Sequence, residues 1–294
     1  MIGSTELAAA IEAAISAADR AFRLERAAAA PRGCIHQTYV LEGGGRRYFA
    51  KINTAAQADN FAAEADGLAA LAAAGVRVPS PLCRGVAGSQ AFLVLEYLDL
   101  GRSGDPAALA RVLAAVHSVH HERYGWHRDN YIGTSPQRNR RCGSWSGFWG
   151  ETRLVPQLEL AGRNRLGESL TQKGERLVVA LPKLLVGHAP APSLLHGDLW
   201  SGNAGFLADG TPVLFDPAVY CGDREADVAM TELFGGFPAA FYSAYREAVP
   251  LAPGYSVRKT LYNLYHVLNH ANLFGGAYAG QAERMMEQLL AEAG

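Results

Sequence analysis

The chain has little that would tie it to a membrane, a metal scaffold or a polyanion. No uninterrupted apolar run in it approaches the ~20 residues needed to cross a bilayer. Cysteine is scarce: Cys34, Cys83, Cys142 and Cys221 are scattered with no CxxC pair, which argues against both a zinc site and a disulfide framework. Neither sign of charge is in excess. The formal net charge is −1 and the pI about 6.8, so there is no electrostatic case for nucleic acid or an anionic membrane as partner. The first residues, MIGSTELAAAIEAAISAADRAF, lack the basic start and unbroken apolar stretch of a signal peptide. Glu6, Glu12 and Asp19 interrupt them at amphipathic spacing, and the expectation is a surface helix on a cytoplasmic protein. What the chain does have is a globular balance, 49% apolar and 19% charged over 294 residues, enough for one large domain or two lobes.

The most informative stretch is Leu194-Leu195-His196-Gly197-Asp198-Leu199-Trp200-Ser201-Gly202-Asn203, followed by Val213-Leu214-Phe215-Asp216. Two apolar residues run into a turn carrying His-Gly-Asp; Asn203 follows five residues after Asp198, and Asp216 ends a short β-like run from Pro212. Phosphoryl transfer from ATP needs a carboxylate that takes the proton of the attacking hydroxyl, and an amide and a second carboxylate that hold magnesium against the phosphates. Asp198, Asn203 and Asp216 supply that set in order. The Asp-to-Asn gap equals that of the protein-kinase catalytic loop H-R-D-x-x-x-x-N. Gly197 stands where the kinase has Arg, so no phosphorylated activation loop can dock there in the protein-kinase way.

Upstream, Thr5 is placed to cap a helix from about Glu6 to Arg23. Residues 35–41 alternate like a strand, Gly43-Gly44-Gly45 makes a hairpin turn, and Arg47 to Ile52 is the return strand. A hairpin over ATP phosphates is the kinase arrangement, although G-x-G-x-x-G is missing. Lys51, late in that strand, sits where the ATP lysine belongs. The helix expected over Gln57–Ala74 carries Glu64, whose neighbours Phe61, Leu68 and Leu71 mark the buried side. A kinase pairs such a glutamate with the strand lysine. The strand Ala91–Leu98 ends as a hinge, with backbone near Glu96 and Leu98 meeting the adenine edge. Asp105-Pro106 opens a helix to about His120. His117, His120 and His121 are expected as helix-end surface residues. Trp145, Phe148 and Trp149 are expected to pack in the core, on a helix running through Leu158, and 164–187 forms a helical arm. Asp223, Arg224 and Glu225 lie on a loop and either recognise substrate or face solvent; Asp227 opens the next helix. Residues 238–292 are helical, with His266 and His270 four apart and no third metal ligand in view.

The string HGDLWSGNAG, then FDPA, then GDREADVAMTELFGGF, resembles the fructosamine kinase (ketosamine-3-kinase) family, relatives of aminoglycoside and choline kinases. The resemblance runs from about Gly33 to Gln281. It implies an α+β, bilobal protein-kinase-like fold: an N-lobe over 1–97 with a small antiparallel sheet, and a mainly helical C-lobe over 98–294. It implies ATP and Mg²⁺ as cofactors and a ketosamine acceptor, small or protein-borne, phosphorylated on the sugar O3 so that the product falls apart and the amine is deglycated. Gly33 and Cys34 then fall in the phosphate loop, and Cys34, near Lys51, becomes a candidate for a redox-dependent homodimer. The loop 124–137 is similar to a segment peculiar to the family, and with Trp200 it favours a ketosamine over an aminoglycoside or choline, whose kinases share HGDxxxxN. His196 and Asp227 support the catalytic loop, and His266 and His270 face the substrate. An inactive nucleotide-binding scaffold is the rival from another class. It would have lost at least one of Lys51, Glu64, Asp198, Asn203 and Asp216, all of which are present.

Overall fold

The computed structural model describes residues 4–30 and 35–294; Gly33 and Cys34, and with them the expected phosphate loop, lie outside the described residues. The contacts divide the chain into two units. One holds the described residues up to Gly104 together with Gly205–Asp216; the other holds Asp105–Ala204 and Pro217–Gly294. The hairpin that carries Asp216 thus packs with the first unit, which a boundary at 97–98 does not anticipate.

In the first unit, helix α1 (Thr5–Ala18) buries Leu7, Ile11 and Ile15 on one face. Its cap is Ser4, whose Oγ accepts from Leu7 N at 3.2 Å, in place of the expected Thr5. It also stops short of Arg23: the backbone is extended at Asp19, and the alanine-rich run that follows forms strand β1 (Arg26–Ala29), which the sequence pattern did not reveal. Alanine favours helix, but here edge pairing with β2 (Gln37–Gly43) overrides that preference. After the Gly44-Gly45 turn comes β3 (Arg46–Thr54), then α2 (Ala58–Ala73), β4 (Pro81–Ala87) and β5 (Gln90–Glu96), giving an antiparallel sheet ordered β1-β2-β3-β5-β4. Side chains alternate across it. Ala50 and Ile52 of β3 and Phe92 and Val94 of β5 join α1's Leu7, Ile11 and Ile15 in one core. Lys51 therefore points to the opposite face, where α2 packs.

The second unit opens with α3 (Pro106–His117), capped by Asp105 Oδ1 on Ala107 N. Residues 124–137 contain a short hairpin, β6 (Asn130–Ile132) and β7 (Ser135–Gln137). The next expected single helix is three pieces: α4 (Trp145–Trp149), a π-helical turn over Gly150–Leu154, and α5 (Val155–Arg163). Then come α6 (Glu168–Leu184) and β8 (Ser193–Leu195). The chain crosses to the first unit with β9 (Ala204–Phe206) and β10 (Pro212–Leu214), tied there by Gly101 N on Phe206 O and Leu214 N on Arg77 O. It returns as β11 (Tyr220–Gly222), paired with β8, and ends in α7 (Glu225–Thr231), α8 (Ala239–Ala248), α9 (Tyr255–Phe274) and α10 (Ala277–Glu292). The core gathers around α9, with Trp145, Phe148, Trp149, Tyr262 and Tyr265 among its members, so Trp145, Phe148 and Trp149 are core residues as expected. Among the described residues no helix is long and apolar enough to cross a membrane.

Candidate active site

Lys51 is almost fully buried, and its Nζ lies 2.7 Å from Glu64 Oε1 and 2.5 Å from Asp216 Oδ1. Burial alone would lower the ammonium's pKa, but the two carboxylates outweigh it and hold the group well above the ordinary lysine range. Asp59 and Asp66 take no part in this pair; Glu64 is the helix carboxylate that reaches Lys51. Asp216 is about half exposed and has φ +57°, a left-handed conformation that aspartate tolerates better than most residues. Such strain often accompanies a functional position. His36, which the sequence reading passed over, lies within electrostatic reach of both. Burial first, and then the Lys51 charge, push its pKa down to about 4, so a neutral imidazole stands beside the ammonium.

At the end of β5, Glu96 makes a two-point ion pair with Arg77, Oε2 at 2.8 Å and Oε1 at 2.5 Å, and the guanidinium holds its carboxyl below the usual carboxylate range. Glu96 N donates to Ser80 O. Its side chain and its N–H are therefore spent inside the unit.

In the second unit the loop expected to be catalytic is built around two buried acceptors. Asp227, 2% exposed, takes His196 N on Oδ2 at 2.7 Å and Gly197 N on Oδ1 at 2.8 Å. Gly197 has φ +82°, and a Cβ there would lie 2.1 Å from Ala218 O. That contact explains why glycine, and no larger residue, separates His196 from Asp198. His196 itself is fully buried, and its Nδ1 accepts from Asp198 N at 3.3 Å. A 3₁₀ turn over Ser201–Asn203 brings Asn203 back, so that Nδ2 donates to Asp198 O at 2.8 Å and to Asp198 Oδ2 at 3.3 Å. With its nitrogen turned inward, Asn203 offers an amide oxygen. In the first unit, Asp216 presents an exposed carboxylate; amide and carboxylate oxygens are each hard donors of the kind Mg²⁺ prefers.

Two expectations are corrected. His117 is not a surface residue: it is 1% exposed and spans Asp227 Oδ2 at 3.1 Å and the Tyr245 hydroxyl at 2.7 Å. His120 and His121 are exposed. Asp223 and Glu225 neither face solvent nor stand free for substrate. Asp223 Oδ2 binds His188 at 2.6 Å and accepts from Tyr262 Oη at 2.5 Å, while Glu225 is buried against Arg258 at 2.7 Å. Arg224 reaches Pro250 O and Tyr245 Oη. Finally, His266 and His270 differ in kind. His270, half-buried, bonds His266 O and sits among Phe234, Phe274 and Tyr278. His266 is 5% exposed with burial pushing its pKa to about 3, and its Nδ1 has no partner among the described residues.

The 124–137 loop also acquires a physical account. Asn130 Nδ2 donates to Val219 O, and Gln137 Nε2 donates to Ala218 O and Asn130 Oδ1. Asn139 links this amide cluster to Arg153, a fully buried guanidinium whose charge rests against the Tyr220 and Phe148 rings, 4.0 and 4.8 Å away. The loop thus fixes Ala218, whose carbonyl packs on Gly197. The polarity visible in the sequence was the only signal of this role.

A model of the fructosamine kinase family matches residues 7–292. A probable ketoamine kinase of Synechocystis is 48% identical over 274 residues, 92% of each chain. The chloroplastic protein-ribulosamine 3-kinase of rice (Oryza sativa subsp. indica) is 39% identical, over 88% of this chain and 77% of its own. A crystal structure from Haemophilus somnus, provisionally named a fructosamine-3-kinase, superposes with a TM-score of 0.88 at 30% identity, over 95% of this chain and 96% of the other.

Proposed function

Because the chain belongs to the fructosamine kinase family, and is thereby a kinase that transfers a phosphoryl group to a sugar hydroxyl, we propose that its acceptor is the O3 hydroxyl of a ketosamine such as a fructosamine or ribulosamine, with ATP as donor. The observation that carries this reading is Asp198 held beside Asn203 on a loop pinned by Asp227, in a chain nearly half identical to a probable ketoamine kinase.

Each group then has a role. Lys51, oriented by Glu64, steadies the ATP phosphates. Asn203 and Asp216 would hold Mg²⁺, which would offset the charge on the phosphates. Asp198 accepts the proton of the acceptor hydroxyl as its oxygen forms the new bond to phosphorus and the bond to ADP breaks. Trp200, partly exposed beside that carboxylate in sequence, and His266, with its unpartnered nitrogen, are the groups left to contact the acceptor. Phosphorylation makes the sugar-amine linkage labile, and its breakdown returns the free amine, which is deglycation.

The deciding assay offers fructose-lysine, a ribulosamine, choline and kanamycin to the purified chain with MgATP. Turnover of a ketosamine with none of kanamycin or choline is expected; phosphorylation of kanamycin without ketosamine turnover overturns the assignment. A second expectation concerns the metal. Asp216→Ala removes a hard oxygen donor, so activity is lost and ATP affinity becomes largely insensitive to Mg²⁺. If magnesium tightens ATP binding to that variant as it does to the wild type, the metal role lies with another residue.

A further inference from the structure

A cavity unrelated to the catalytic loop opens at the other end of β8. Cys221 pairs with Leu194 in the β8–β11 ladder, Gly125 and Cys221 exchange both backbone hydrogen bonds, and His121 N donates to Pro192 O just before the strand. Around these residues lies a cavity of about 530 Å³ lined by His121, Arg123, Trp126 and Arg141 among others. A neighbouring one of about 570 Å³ shares Trp126 and Arg141 with it and adds Arg128 and Arg140. The catalytic loop leaves β8 from its opposite end, at His196.

The lining is unusual for this chain. Four guanidiniums meet two carboxylates there, Glu122 and Asp129, although the chain as a whole carries a net charge of −1. Arg140 is paired with Glu151, and Asp129 Oδ1 is engaged by Asn139 N. Arg123 and Arg141, both exposed, have no ion-pair or hydrogen-bond partner among the described residues. The cations are all arginine, whose planar fork matches phosphate oxygens two at a time. Trp126 lines both cavities, with the His127 ring 4.9 Å and the His121 ring 5.8 Å from its centroid. An indole beside guanidiniums suits a ligand with an anionic end and a ring or sugar face. The volume is that of a small-molecule site, and the carboxylates of Glu122, Asp129 and Glu151 around the arginines disfavour a long polyanion.

We infer that this cavity is a second binding site, for a small phosphate ester, with Arg123 and Arg141 taking the phosphoryl oxygens and Trp126 carrying the sugar or ring. The inference does not depend on the catalytic reading. It is tested by isothermal titration calorimetry of glucose 6-phosphate, inorganic phosphate and glucose into the wild type and into the Arg123→Glu/Arg141→Glu double variant. These two side chains are exposed, so an unchanged melting temperature and unchanged kinase turnover are expected. Glucose 6-phosphate should bind the wild type more tightly than inorganic phosphate does, glucose should not bind, and the double variant should weaken the ester at least about tenfold through loss of the charge-assisted contacts. Ester binding that survives the charge reversal belongs to the ATP site or to the general surface and overturns the proposal. So does inorganic phosphate binding as tightly as the ester, because the indole then contributes nothing, and so does the absence of any heat with the ester.

Discussion

Replacing Asp198 by Asn is expected to lower kcat by about 10²- to 10⁴-fold, the range that general acid–base groups supply, while fold and ATP affinity stay near wild type. The substitution keeps one oxygen and the side chain's volume, so Asn203 Nδ2, which now bonds Asp198 Oδ2 at 3.3 Å, retains an acceptor. The loop backbone is set elsewhere, by Asp227 on His196 and Gly197. What is lost is the negative charge that, in the proposed role, would take a proton from the acceptor hydroxyl. The measurement is kcat with saturating ketosamine, alongside the ATP dissociation constant and the melting temperature. Turnover within a few-fold of wild type, with both controls normal, would move the base to another residue.

Asp198, Asn203 and the strand leading to them were legible in sequence because they are local: five residues fix the spacing, and a turn supplies the geometry. Lys51 with Glu64 was legible because strand alternation and helix periodicity each select one face, and the two selected faces are those that pack together. Where the pattern misled, the deciding partner lay far along the chain. His117 looked like one of three histidines at a helix end, but its partner Asp227 is 110 residues away. Asp223 and Glu225 looked like a charged loop, but Tyr262 and Arg258, which consume their charge, lie 39 and 33 residues on. β1 was missed for a different reason: an alanine run carries no period-2 signal, and only its pairing with β2 makes it a strand. The domain boundary shows the same limit, since residues 205–216 join the first unit through bonds to Gly101 and Arg77 that no local pattern reports.

The 124–137 segment supports the same loop from another side. Its amides hold Ala218 and Val219 through their carbonyls, and Ala218 N in turn bonds His196 O at 2.8 Å. The backbone at His196 and Gly197 is thus fixed by one aspartate from α7 and by the strand that follows Asp216. Since Gly197 has no room for a Cβ against Ala218, the two supports meet at a position that cannot relax around a larger residue.

Removing the aspartate should therefore have the largest effect on stability of any single change at the site. Asp227 accepts two backbone N–H groups and faces His117, all buried. Asp227→Ala leaves those donors without an acceptor away from water, at a cost of roughly 3–5 kcal/mol in total, and lowers the melting temperature by on the order of 10 °C for a chain of this size. Asp227→Asn is expected to fall short of full rescue, since its amide nitrogen would oppose one of the two N–H groups it must accept. The pH dependence separates this from generic core damage. Burial tends to raise the carboxyl's pKa, but the bond and charge of His117, the charge of His196 and the bond from Gly197 outweigh it and hold the pKa below the ordinary aspartate value. A group depressed on folding adds stability above its unfolded pKa, about 3.9, and loses it as pH falls through the lower folded value. The stability difference between wild type and Asp227→Ala should then be constant above about pH 5 and shrink progressively below about pH 4. Denaturant unfolding across that range measures it. A difference that stays the same down to the acid limit would mean that the Asp227 charge does not brace the catalytic loop.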